Sequence, residues 1–438
     1  MPRKSKKSFQ APKGTSDILP EEQKYWEKIR GVAKALSSHY GFGRIDTPLF
    51  EDAALYEASV GDATDIVQKQ MYTFKTKGKQ DVALRPEGTA SIARAYIENG
   101  MSSMSQPVKL YYIGPMFRYE QPQAGRFRQF RQLGFEVIGD LDPIYDAQII
   151  NVFLKTCSGL GLKNLNVEIN SIGCKQCRPA YRSQLLKYYR SRIKGACTTC
   201  KKRIKINPLR LLDCKDEKCQ PIKVNAPTLI DNLCKECHDH FKSVLEFLDE
   251  LEIPYSLNPH LVRGLDYYTK TVFEVFLEDE HLEGGSEKTH TQGKLALGGG
   301  GRFDTLVKML GGKDTPAVGS ALGLERIIDA MKLQNARVAS LNKAQVFLVQ
   351  VGDLGKKKSL KIFDELSEAG IYIRESFGRN SLSSQLRMAD KMGAKISLII
   401  GQKEAIDGDV IMRDMESGAQ ETIPIEKIIP ALKNKLKK

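Results

Sequence analysis

The sequence predicts an α+β chain of several domains, with a helical inserted module and a separate α/β domain at its C-terminal end. Its 438 residues correspond to two or three domains at roughly 150 residues each. Two strand-like runs, 110–119 and 128–139, are joined by a loop short enough to predict an antiparallel pair. Strands then alternate with helices over residues 344–438, which is typical of βαβ units in a mostly parallel sheet.

The part of the chain before the C-terminal domain contains both helical and strand-like periodicities. Apolar residues recur at helical spacing from Trp26 onward and predict a helix over 21–40, while Pro48 interrupts a strand over 44–50 and favours an edge or interface position. The glycine run at 297–301 predicts either a tight turn or a close approach of the backbone to a ligand. Further elements are strands over 70–76, 82–85 and 271–277, helices over 90–98 and 143–160, and a strand followed by a helix over 315–330.

Composition changes along the chain predict its domain boundaries. The segments are a basic arm at residues 1–13, a core formed by 14–171 and 259–335, a helix-rich inserted module at 172–258, a linker at 336–343 and an α/β domain at 344–438. Within the core, the polar stretch 279–294 predicts a surface loop. In the C-terminal domain, strands are predicted over 346–351, 371–375 and 395–401, and helices over 357–369 and 381–392.

Basic residues are in excess. Lysine and arginine number 67 against 53 aspartate and glutamate, so the net charge is +14. This excess favours a polyanionic partner such as nucleic acid, although a basic protein without such a partner would have the same balance. No stretch approaches about 18 uncharged apolar residues, so no transmembrane helix is predicted. The N-terminal residues lack the apolar segment of a secretory signal, and we therefore expect a cytoplasmic protein without membrane contact.

The cysteines are concentrated in the inserted module. Eight of the nine occur as spaced pairs: Cys174 and Cys177, Cys197 and Cys200, Cys214 and Cys219, and Cys234 and Cys237. The missing secretory signal argues against disulfides, whereas paired thiolates suit zinc, which takes four sulfurs per ion. Eight sulfurs would fill two such sites. The alternative is that these cysteines are small buried apolar residues.

Charged and aromatic side chains collect on the predicted antiparallel pair. Alternation places Arg118 and Glu120 on one face of the first strand, and Phe130, Gln132 and Glu136 on one face of the second. An arginine suits a phosphate or carboxylate because its guanidinium can donate two parallel hydrogen bonds. An ordinary charged face exposed to solvent remains the alternative.

Two further segments carry charges in unusual positions. Arg263 stands among apolar residues at 261–268 and must find an anion, for which an internal pair with Asp266 is an equally good explanation. Arg326 falls in the first turn of a predicted helix, where a cation is unfavourable for the helix dipole. The glycine run is not a P-loop and lacks the GxGxxG spacing, and neither HExxH nor GxSxG occurs. The visible chemistry is therefore anion binding and charge stabilisation.

Together these segments resemble a class II aminoacyl-tRNA synthetase, and within that class the bacterial-type histidyl-tRNA synthetase family. The matching segments are motif 1 at 41–51, motif 2 from 117 to 130, motif 3 at 323–326, and the two histidine-specific motifs at 261–268 and 296–304. The resemblance implies a six-stranded antiparallel catalytic sheet flanked by helices, an anticodon-binding C-terminal domain and a homodimer with Pro48 at its interface. It implies a histidine–tRNA ligase that forms histidyl-adenylate from histidine and Mg²⁺–ATP, then transfers the histidyl group to tRNA(His).

The resemblance also implies roles for individual residues. Histidine binding falls to Glu87, Gly88, Thr89, Gln132, Glu136, Tyr267 and Tyr268, and ATP binding to Arg118, Glu120, Arg126, Phe130 and Arg326. Glu87, Thr89 and Gln132 would hold the α-ammonium group, while Glu136 and Tyr268 would bracket the imidazole. The catalytic residues would be Arg118 and Arg263, on opposite sides of the α-phosphate.

The remaining implied contacts concern the nucleotide and the metal. Adenine would stack between Phe130 and Arg326, with Glu120 at its exocyclic amine and Arg126 at the distal phosphates. Many members of the family lack the paired cysteines, so zinc would stabilise the inserted module rather than enter the chemistry.

Two other functions remain to be weighed against the ligase. Synthetase-like chains also serve as regulatory subunits of histidine biosynthesis or as sensors of uncharged tRNA, and a general RNA-binding module could use the positive charge. Arg118, Arg263 and Arg326 are all present, as is the C-terminal domain, which favours the enzyme.

Overall fold

The computed structural model describes residues 9–61, 64–121, 125–214, 216–278, 294–339 and 344–436. These residues divide between Val338 and Ala339 into two compact units. Most of the predicted basic arm, nearly all of the loop predicted at 279–294 and half of the predicted linker lie outside the described residues. No helix within the described residues combines the length and the apolar character that crossing a membrane would need.

The first unit contains both strands and helices. Its strands are β1 (Gly43–Arg44), β2 (Phe50–Asp52), β3 (Tyr72–Lys75), β4 (Asp81–Leu84), β5 (Val108–Phe117), β6 (Gln129–Ile138), β7 (Leu165–Ser171), β8 (Tyr255–Leu257), β9 (Thr269–Glu278), β10 (Lys294–Arg302) and β11 (Ala317–Gly323). Its helices are α1 (Gln23–Tyr40), α2 (Ala53–Val60), α3 (Thr89–Glu98), α4 (Ile144–Gly159), α5 (Cys177–Arg192), α6 (Thr198–Ile206), α7 (Gln220–Val224), α8 (Lys235–Glu250), α9 (Leu306–Met309) and α10 (Leu324–Leu333).

A mixed eight-stranded sheet, in the order β1-β5-β6-β11-β10-β9-β7-β8, organises this unit. The six central strands are β5, β6, β11, β10, β9 and β7, and each adjacent pair among them is antiparallel. The six-stranded antiparallel sheet implied by the resemblance is therefore confirmed. Short parallel strands, β1 and β8, extend it at the two edges.

Side-chain alternation divides the large sheet into an apolar and a polar face. On β6, Leu133 and Phe135 are fully buried in a core with residues of α1, α4, α8 and α10. The residues between and beside them on the same strand, Gln132 and Glu136 among them, therefore point to the other face, because successive side chains of a strand alternate. These four helices cover one face of the sheet. The other face, called the polar face below, carries these polar side chains and also packs apolar residues of β5 and β6 against α3 and α5.

The prediction of one strand over 44–50 is wrong for the middle residues of that segment. Only its ends pair, as β1 in the large sheet and β2 in a three-stranded sheet of order β2-β4-β3. Between them, the carbonyl of Thr47 accepts a hydrogen bond of 2.9 Å from the guanidinium of Arg85, a buried side chain. The side chain of Arg85 thus takes the place of a neighbouring strand, and Pro48 could not have donated to one.

The glycine run forms the central strand β10, so the tight turn considered for it is wrong. A Cβ on Gly300 would lie 2.0 Å from the carbonyl oxygen of Gly319 on β11, and one on Gly299 would lie 2.3 Å from that of Phe273 on β9. The glycines are therefore required by the backbones of the two flanking strands. Gly298 is the member of the run that also reaches the cavity described below.

The segment predicted as the inserted module contains α5, α6, α7 and α8. Its last part already belongs to the large sheet and its core. Val244 and Leu248 of α8 are fully buried against the main core, and β8 pairs with β7. The chain has thus rejoined the large sheet at Tyr255–Leu257, inside the predicted module.

The second unit is an α/β domain with its own core. It consists of β12 (Val346–Gln350), α11 (Gly352–Glu368), β13 (Ile373–Glu375), α12 (Leu382–Lys391), β14 (Ile396–Ile400), α13 (Gln402–Asp407), β15 (Asp409–Asp414), β16 (Gln420–Pro424) and α14 (Ile428–Leu436). The strand order is β13-β12-β14-β15-β16. The first three strands are parallel, as predicted, whereas β15 and β16 are antiparallel. The connection 401–408 is too short for a parallel crossover, which needs a dozen residues or more.

We expect Gly300→Ala to lower the free energy of unfolding by about 3 kcal/mol, because the added methyl group must displace the backbone of β11. Gly31→Ala in α1 is the matched control, since nothing lies within 4 Å of its Cβ position. That change should be neutral or stabilise by up to about 1 kcal/mol. Urea denaturation of both variants measures the difference. Equal stabilities would contradict the packing role of the glycine strand.

Candidate active site

A cavity of about 250 Å³ lies on the polar face of the large sheet. It is lined by side chains from β5, β6 and β9, by the beginnings of α3 and α10, and by the loop at 261–268. Predicted site residues that line it are Glu87, Thr89, Arg118, Glu120, Arg126, Phe130, Gln132, Arg263, Tyr267, Tyr268 and Arg326. The structure therefore brings together residues that are separated by more than half of the chain.

The other two predicted site residues, Gly88 and Glu136, lie directly behind this lining. A Cβ on Gly88 would lie 2.4 Å from the ring of Tyr112, so glycine makes room for a tyrosine that does line the cavity. Gly319 does the same for Glu136, whose Oε2 atom would lie 1.6 Å from a Cβ there. Both glycines serve the shape of the site through their neighbours.

One end of the cavity is acidic. The Glu87 carboxylate accepts hydrogen bonds from the backbone N–H groups of Thr89 at 2.7 Å and Ala90 at 2.8 Å, at the start of α3. The Tyr267 hydroxyl donates to the same carboxylate at 3.3 Å, and the Thr89 hydroxyl donates to Glu136 at 2.7 Å. Two buried carboxylates are thus held side by side.

Several buried polar atoms at this end have no hydrogen-bond partner among the described residues. They are Oε2 of Glu136, Oε1 of Gln132 and the hydroxyl of Tyr112. Burial raises the pKa of Glu136 well above its ordinary value, and the negative charge of Glu87 raises it further. An unpartnered buried polar group costs about 1–3 kcal/mol. The arrangement is thus suited to a ligand with several hydrogen-bond donors and a positive charge.

The cavity lining also contains cationic groups. The Nε–H group of Arg118 donates to the carbonyl of Pro86 at 2.9 Å, and its guanidinium lies 5.2 Å from the ring centroid of Phe130. Burial lowers the pKa of Arg118. The guanidinium of Arg263 lies 3.8 Å from a carboxylate oxygen of Glu274 and 5.8 Å from the Tyr268 ring centroid. The ion pair considered between Arg263 and Asp266 is therefore wrong, since Arg263 lies by Glu274 instead.

Arg326 occupies the first turn of α10, as predicted. It donates to the carbonyls of Ala296 at 3.0 Å and Gly125 at 3.1 Å. Burial lowers the pKa of Arg326. Its neighbour Glu325 accepts the backbone N–H of Arg131 on β6 at 2.9 Å, which fixes the start of the helix against the strand.

Near Arg326, the side chains of Arg126 and Glu120 form an ion pair of 3.6 Å. Both line the cavity, so the pair adds one positive and one negative group to the wall that also carries Phe130. This wall can therefore offer a flat apolar ring together with groups of either charge.

The lining residues that sequence reasoning missed include three polar ones: Tyr112, Glu274 and Ser320. A signal existed for two of them. Tyr112 has the same parity on β5 as Arg118, so alternation places it on the same face. Glu274 is a charged residue in the middle of the apolar strand β9. Ser320 had no such signal, because its position follows from the pairing of β11 with β6 and β10.

The eight paired cysteines form two groups of four. The first cluster contains Cys174, Cys177, Cys234 and Cys237, and the second cluster contains Cys197, Cys200, Cys214 and Cys219. Within each, the Sγ atoms lie within 4.8 Å of one another. Sγ–Sγ distances are 3.8 Å for Cys174 to Cys177 and 3.8 Å for Cys197 to Cys214. Tetrahedral zinc with Zn–S bonds of about 2.3 Å requires an edge of about 3.8 Å.

Backbone N–H groups also point at these sulfurs. The N–H of Cys234 donates to the Sγ of Cys177 at 3.1 Å, and that of Cys197 donates to the Sγ of Cys219 at 3.3 Å. Burial of Cys174 opposes its thiolate, but backbone N–H groups outweigh burial and lower the pKa of Cys174 to about 7. The donor set and its geometry therefore fit a metal ion bound by thiolates.

Comparisons with known proteins agree with this geometry. An antiparallel catalytic sheet with these arginines and a separate anticodon-binding domain defines a class II aminoacyl-tRNA synthetase. A family model described as histidyl-tRNA synthetase matches residues 14–327, and one described as anticodon binding domain matches 345–435. The chain belongs to the histidyl-tRNA synthetase family.

Relatives match over almost the whole chain. Histidine–tRNA ligase of Dehalococcoides mccartyi strain 195 is 44% identical over 428 residues, covering 98% of this chain and 100% of the relative. That of Desulforamulus reducens is 41% identical, covering 96% and 98%. The crystal structure of apo histidyl-tRNA synthetase from S. aureus superimposes with a TM-score of 0.79 at 33% identity, covering 97% and 100%.

Proposed function

We propose that the chain, a histidine–tRNA ligase, activates L-histidine with Mg²⁺–ATP in the cavity and transfers the histidyl group to tRNA(His). The observation that carries this assignment is the set of unpartnered buried polar atoms at the acidic end, in a cavity that is also lined by Arg118 and Arg263. Histidine supplies what that end lacks: an ammonium group and an imidazole that both need hydrogen-bond partners. The arginines suit the carboxylate and phosphate that react.

At the acidic end, Glu87, Thr89 and Gln132 hold the α-ammonium group. Glu136 and the Tyr268 hydroxyl bracket the imidazole, one at each ring nitrogen, since a neutral imidazole donates from one nitrogen and accepts at the other. The hydrogen bond from Thr89 to Glu136 supports this assignment, because it leaves the second carboxylate oxygen of Glu136 without a partner. The positive charge of the ligand also offsets the two neighbouring carboxylates.

In the activation step, a carboxylate oxygen of histidine attacks the α-phosphorus of ATP. A new O–P bond forms, the bond from Pα to the bridging oxygen breaks, and pyrophosphate leaves. Arg118 binds the substrate carboxylate and the α-phosphate, and Arg263 lies on the other side of that phosphate. Fixed charges of this kind stabilise the pentavalent transition state without reorganisation.

The nucleotide occupies the wall formed by motif 2 and motif 3. Adenine stacks between Phe130 and Arg326, Glu120 accepts from the exocyclic amine, and Arg126 contacts the distal phosphates. The shared position of these four residues in the lining supports the assignment. The ion pair of Arg126 with Glu120 must open when ATP binds, since each partner then has a ligand group of its own.

The 3′ end of the tRNA reaches the adenylate through a second groove of about 660 Å³. This groove shares Arg118, Arg263 and Arg326 with the cavity, and the inserted module adds Arg210 and Lys223 to its walls. Basic side chains along such a path suit a phosphate backbone. The C-terminal domain recognises the anticodon, in accordance with its family match.

We further propose a cytoplasmic homodimer. Leu49 and Phe50 next to Pro48 are 46% and 53% exposed, and Phe74 on β3, across β4 in the same small sheet, is 47% exposed. The rings of Phe50 and Phe74 lie 6.4 Å apart, so the apolar residues form one patch beside motif 1. A contiguous exposed apolar patch is typical of an interface.

Each four-cysteine cluster holds one zinc ion in this proposal. The ion would join segments of the inserted module that are far apart in sequence, and it takes no part in the transfer chemistry. The Sγ–Sγ distances and the backbone N–H donors described above support this assignment.

A non-catalytic relative is the competing function. A structure named as an ATP phosphoribosyltransferase regulatory subunit/histidyl-tRNA synthetase from Bacillus halodurans shares the fold at 21% identity, with a TM-score of 0.60. The presence of both arginines in the cavity favours the enzyme, because a regulatory site that binds histidine alone needs no pair of cations at the carboxylate.

The first measurement is pyrophosphate exchange with each of the twenty amino acids. We expect exchange with histidine alone, since the acidic end matches an imidazole and an ammonium group together. The assay reports the activation step without tRNA. A folded protein that binds histidine but supports no exchange would be a regulatory relative.

Glu136→Gln should raise the KM for histidine by about tenfold or more while the KM for ATP stays within about twofold. The change removes a charge beside the imidazole but keeps an oxygen that can accept from Thr89, so folding should be retained. Glu98→Gln, an exposed glutamate at the end of α3, is the control. Equal effects on both substrates would argue against contact with the imidazole.

Arg263→Lys should leave histidine binding nearly unchanged and slow adenylate formation by on the order of 10²-fold. A lysine keeps the charge but loses the planar fork that can bind two oxygens at once. Single-turnover formation of histidyl-adenylate separates this step from product release. Arg182→Lys on α5 is the matched control, since Arg182 does not line the cavity. A wild-type rate in the Arg263 variant would remove the proposed role.

A further inference from the structure

The loop at 261–268 carries Arg263, Tyr267 and Tyr268. It accepts hydrogen bonds from residues that are close in sequence to the cysteines of the two clusters. At its end the chain enters β9 through Thr269 and Lys270. Each contact described below comes from a residue next to, or between, the cysteines of one cluster. The residues that contact this loop thus belong to the same segments of the inserted module as the clustered cysteines.

The first cluster contacts the end of the loop and the start of β9 through three residues that neighbour its cysteines. Arg178, adjacent to Cys177, donates to the carbonyl of Tyr268, and also to that of Ile172 at 3.1 Å. The carbonyl of Gly173, adjacent to Cys174, accepts the backbone N–H of Lys270 at 3.0 Å.

The third neighbour is Glu236, which stands between Cys234 and Cys237. Its carboxylate accepts a hydrogen bond of 2.9 Å from the ammonium group of Lys270, whose side chain is buried. All three contacts fall on the segment from Tyr268 to Lys270, although they come from two stretches of chain that meet at the first cluster.

The second cluster contacts the middle of the loop. Asn207 and Arg210 lie between Cys200 and Cys214 in sequence, after α6. Arg210 donates to the carbonyl of Gly264 at 2.6 Å, and the Asn207 amide donates to the Asp266 carboxylate at 3.2 Å. The two clusters therefore brace the part of the loop that follows Arg263, from Gly264 to Tyr268.

We propose that zinc bound by the two clusters fixes the loop at 261–268 in its reactive position, with Arg178 as the positioning residue that connects the first cluster to Tyr268. This inference rests on the proposed function and deepens it. Zinc joins the segments that carry Arg178 and Glu236, so both contact the loop from one rigid unit. The conformational entropy of the loop is then lost when the module folds, so histidine binding does not have to order the loop.

The proposal separates the two substrates. The Tyr268 hydroxyl and Arg263 belong to the braced loop, whereas Phe130 on β6 and Arg326 on α10 do not. Loosening the loop should therefore weaken histidine binding and slow activation, while ATP is bound as before. A module with a merely structural role would lower stability without this asymmetry between the substrates.

The first experiment compares Arg178→Gln with Arg182→Gln in the full-length chain. Arg182 lies one turn further along α5, is exposed and donates to the carbonyl of Ile206 rather than to the loop. We expect Arg178→Gln to keep the wild-type zinc content by elemental analysis and to raise the KM for histidine in pyrophosphate exchange roughly tenfold. The KM for ATP should change by less than about twofold. Arg178→Lys, which can still donate to the Tyr268 carbonyl, should recover most of the loss.

The second experiment removes the metal from the wild-type protein. An organomercurial that binds thiolates releases zinc, which a chromophoric chelator reports, while equilibrium dialysis with labelled histidine measures affinity at each step. We expect histidine affinity to fall as zinc is released and to return when thiol and zinc are restored. Circular dichroism at each step shows whether the large sheet stays folded.

Three results would overturn the inference: no zinc in protein purified without chelator, unchanged histidine affinity after complete release from folded protein, or equal KM values for the two glutamine variants. Failure of the proposed function looks different, because the wild-type chain would then support no exchange with histidine at all. Active wild-type enzyme together with any of the three results would reject the metal-dependent positioning alone.

Discussion

The alternation of side chains across the six central strands is the constraint on which the rest of this structure depends. On β6, Leu133 and Phe135 must enter the helical core for the sheet to be stable, and this fixes Gln132 and Glu136 on the opposite face. A slip of one residue in register would send the carboxylate into the core and expose the apolar residues. Burial of one face thereby sets the position of every polar group on the other.

The cavity that results is built at a cost in stability. Glu136, Gln132 and Tyr112 each hold a buried polar atom without a partner among the described residues, and Glu136 stands near a second carboxylate. Folding of the core must outweigh these penalties, which a ligand with complementary donors removes on binding. Under the proposed function, the binding free energy and the specificity for histidine have one origin: groups that are satisfied by this ligand and left unsatisfied by others.

The inserted module relates to this site through the loop that carries Arg263. The loop has no strand neighbour of its own, so its backbone carbonyls are satisfied by side chains, among them Arg178 and Arg210 from the module. A long loop held by side chains is only as well ordered as the elements that bear them. Here those elements meet at thiolate clusters whose dimensions suit zinc. The module and the chemistry are therefore physically linked, although no cysteine lines the cavity.

The sequence alone determined the elements that depend on local pattern. The antiparallel pair of β5 and β6 follows from two alternating runs and a short loop, and the cysteine spacing indicates thiolate sites. Motif resemblance then brought the arginines and carboxylates to one site. Tertiary structure decided what depends on distant partners: that Cys174 and Cys177 join Cys234 and Cys237, and that the glycine run is a central strand. It also decided that Arg263 lies by Glu274. Local spacing limits the conformation of a few residues, whereas these contacts join residues that are far apart in sequence and meet only in the folded chain.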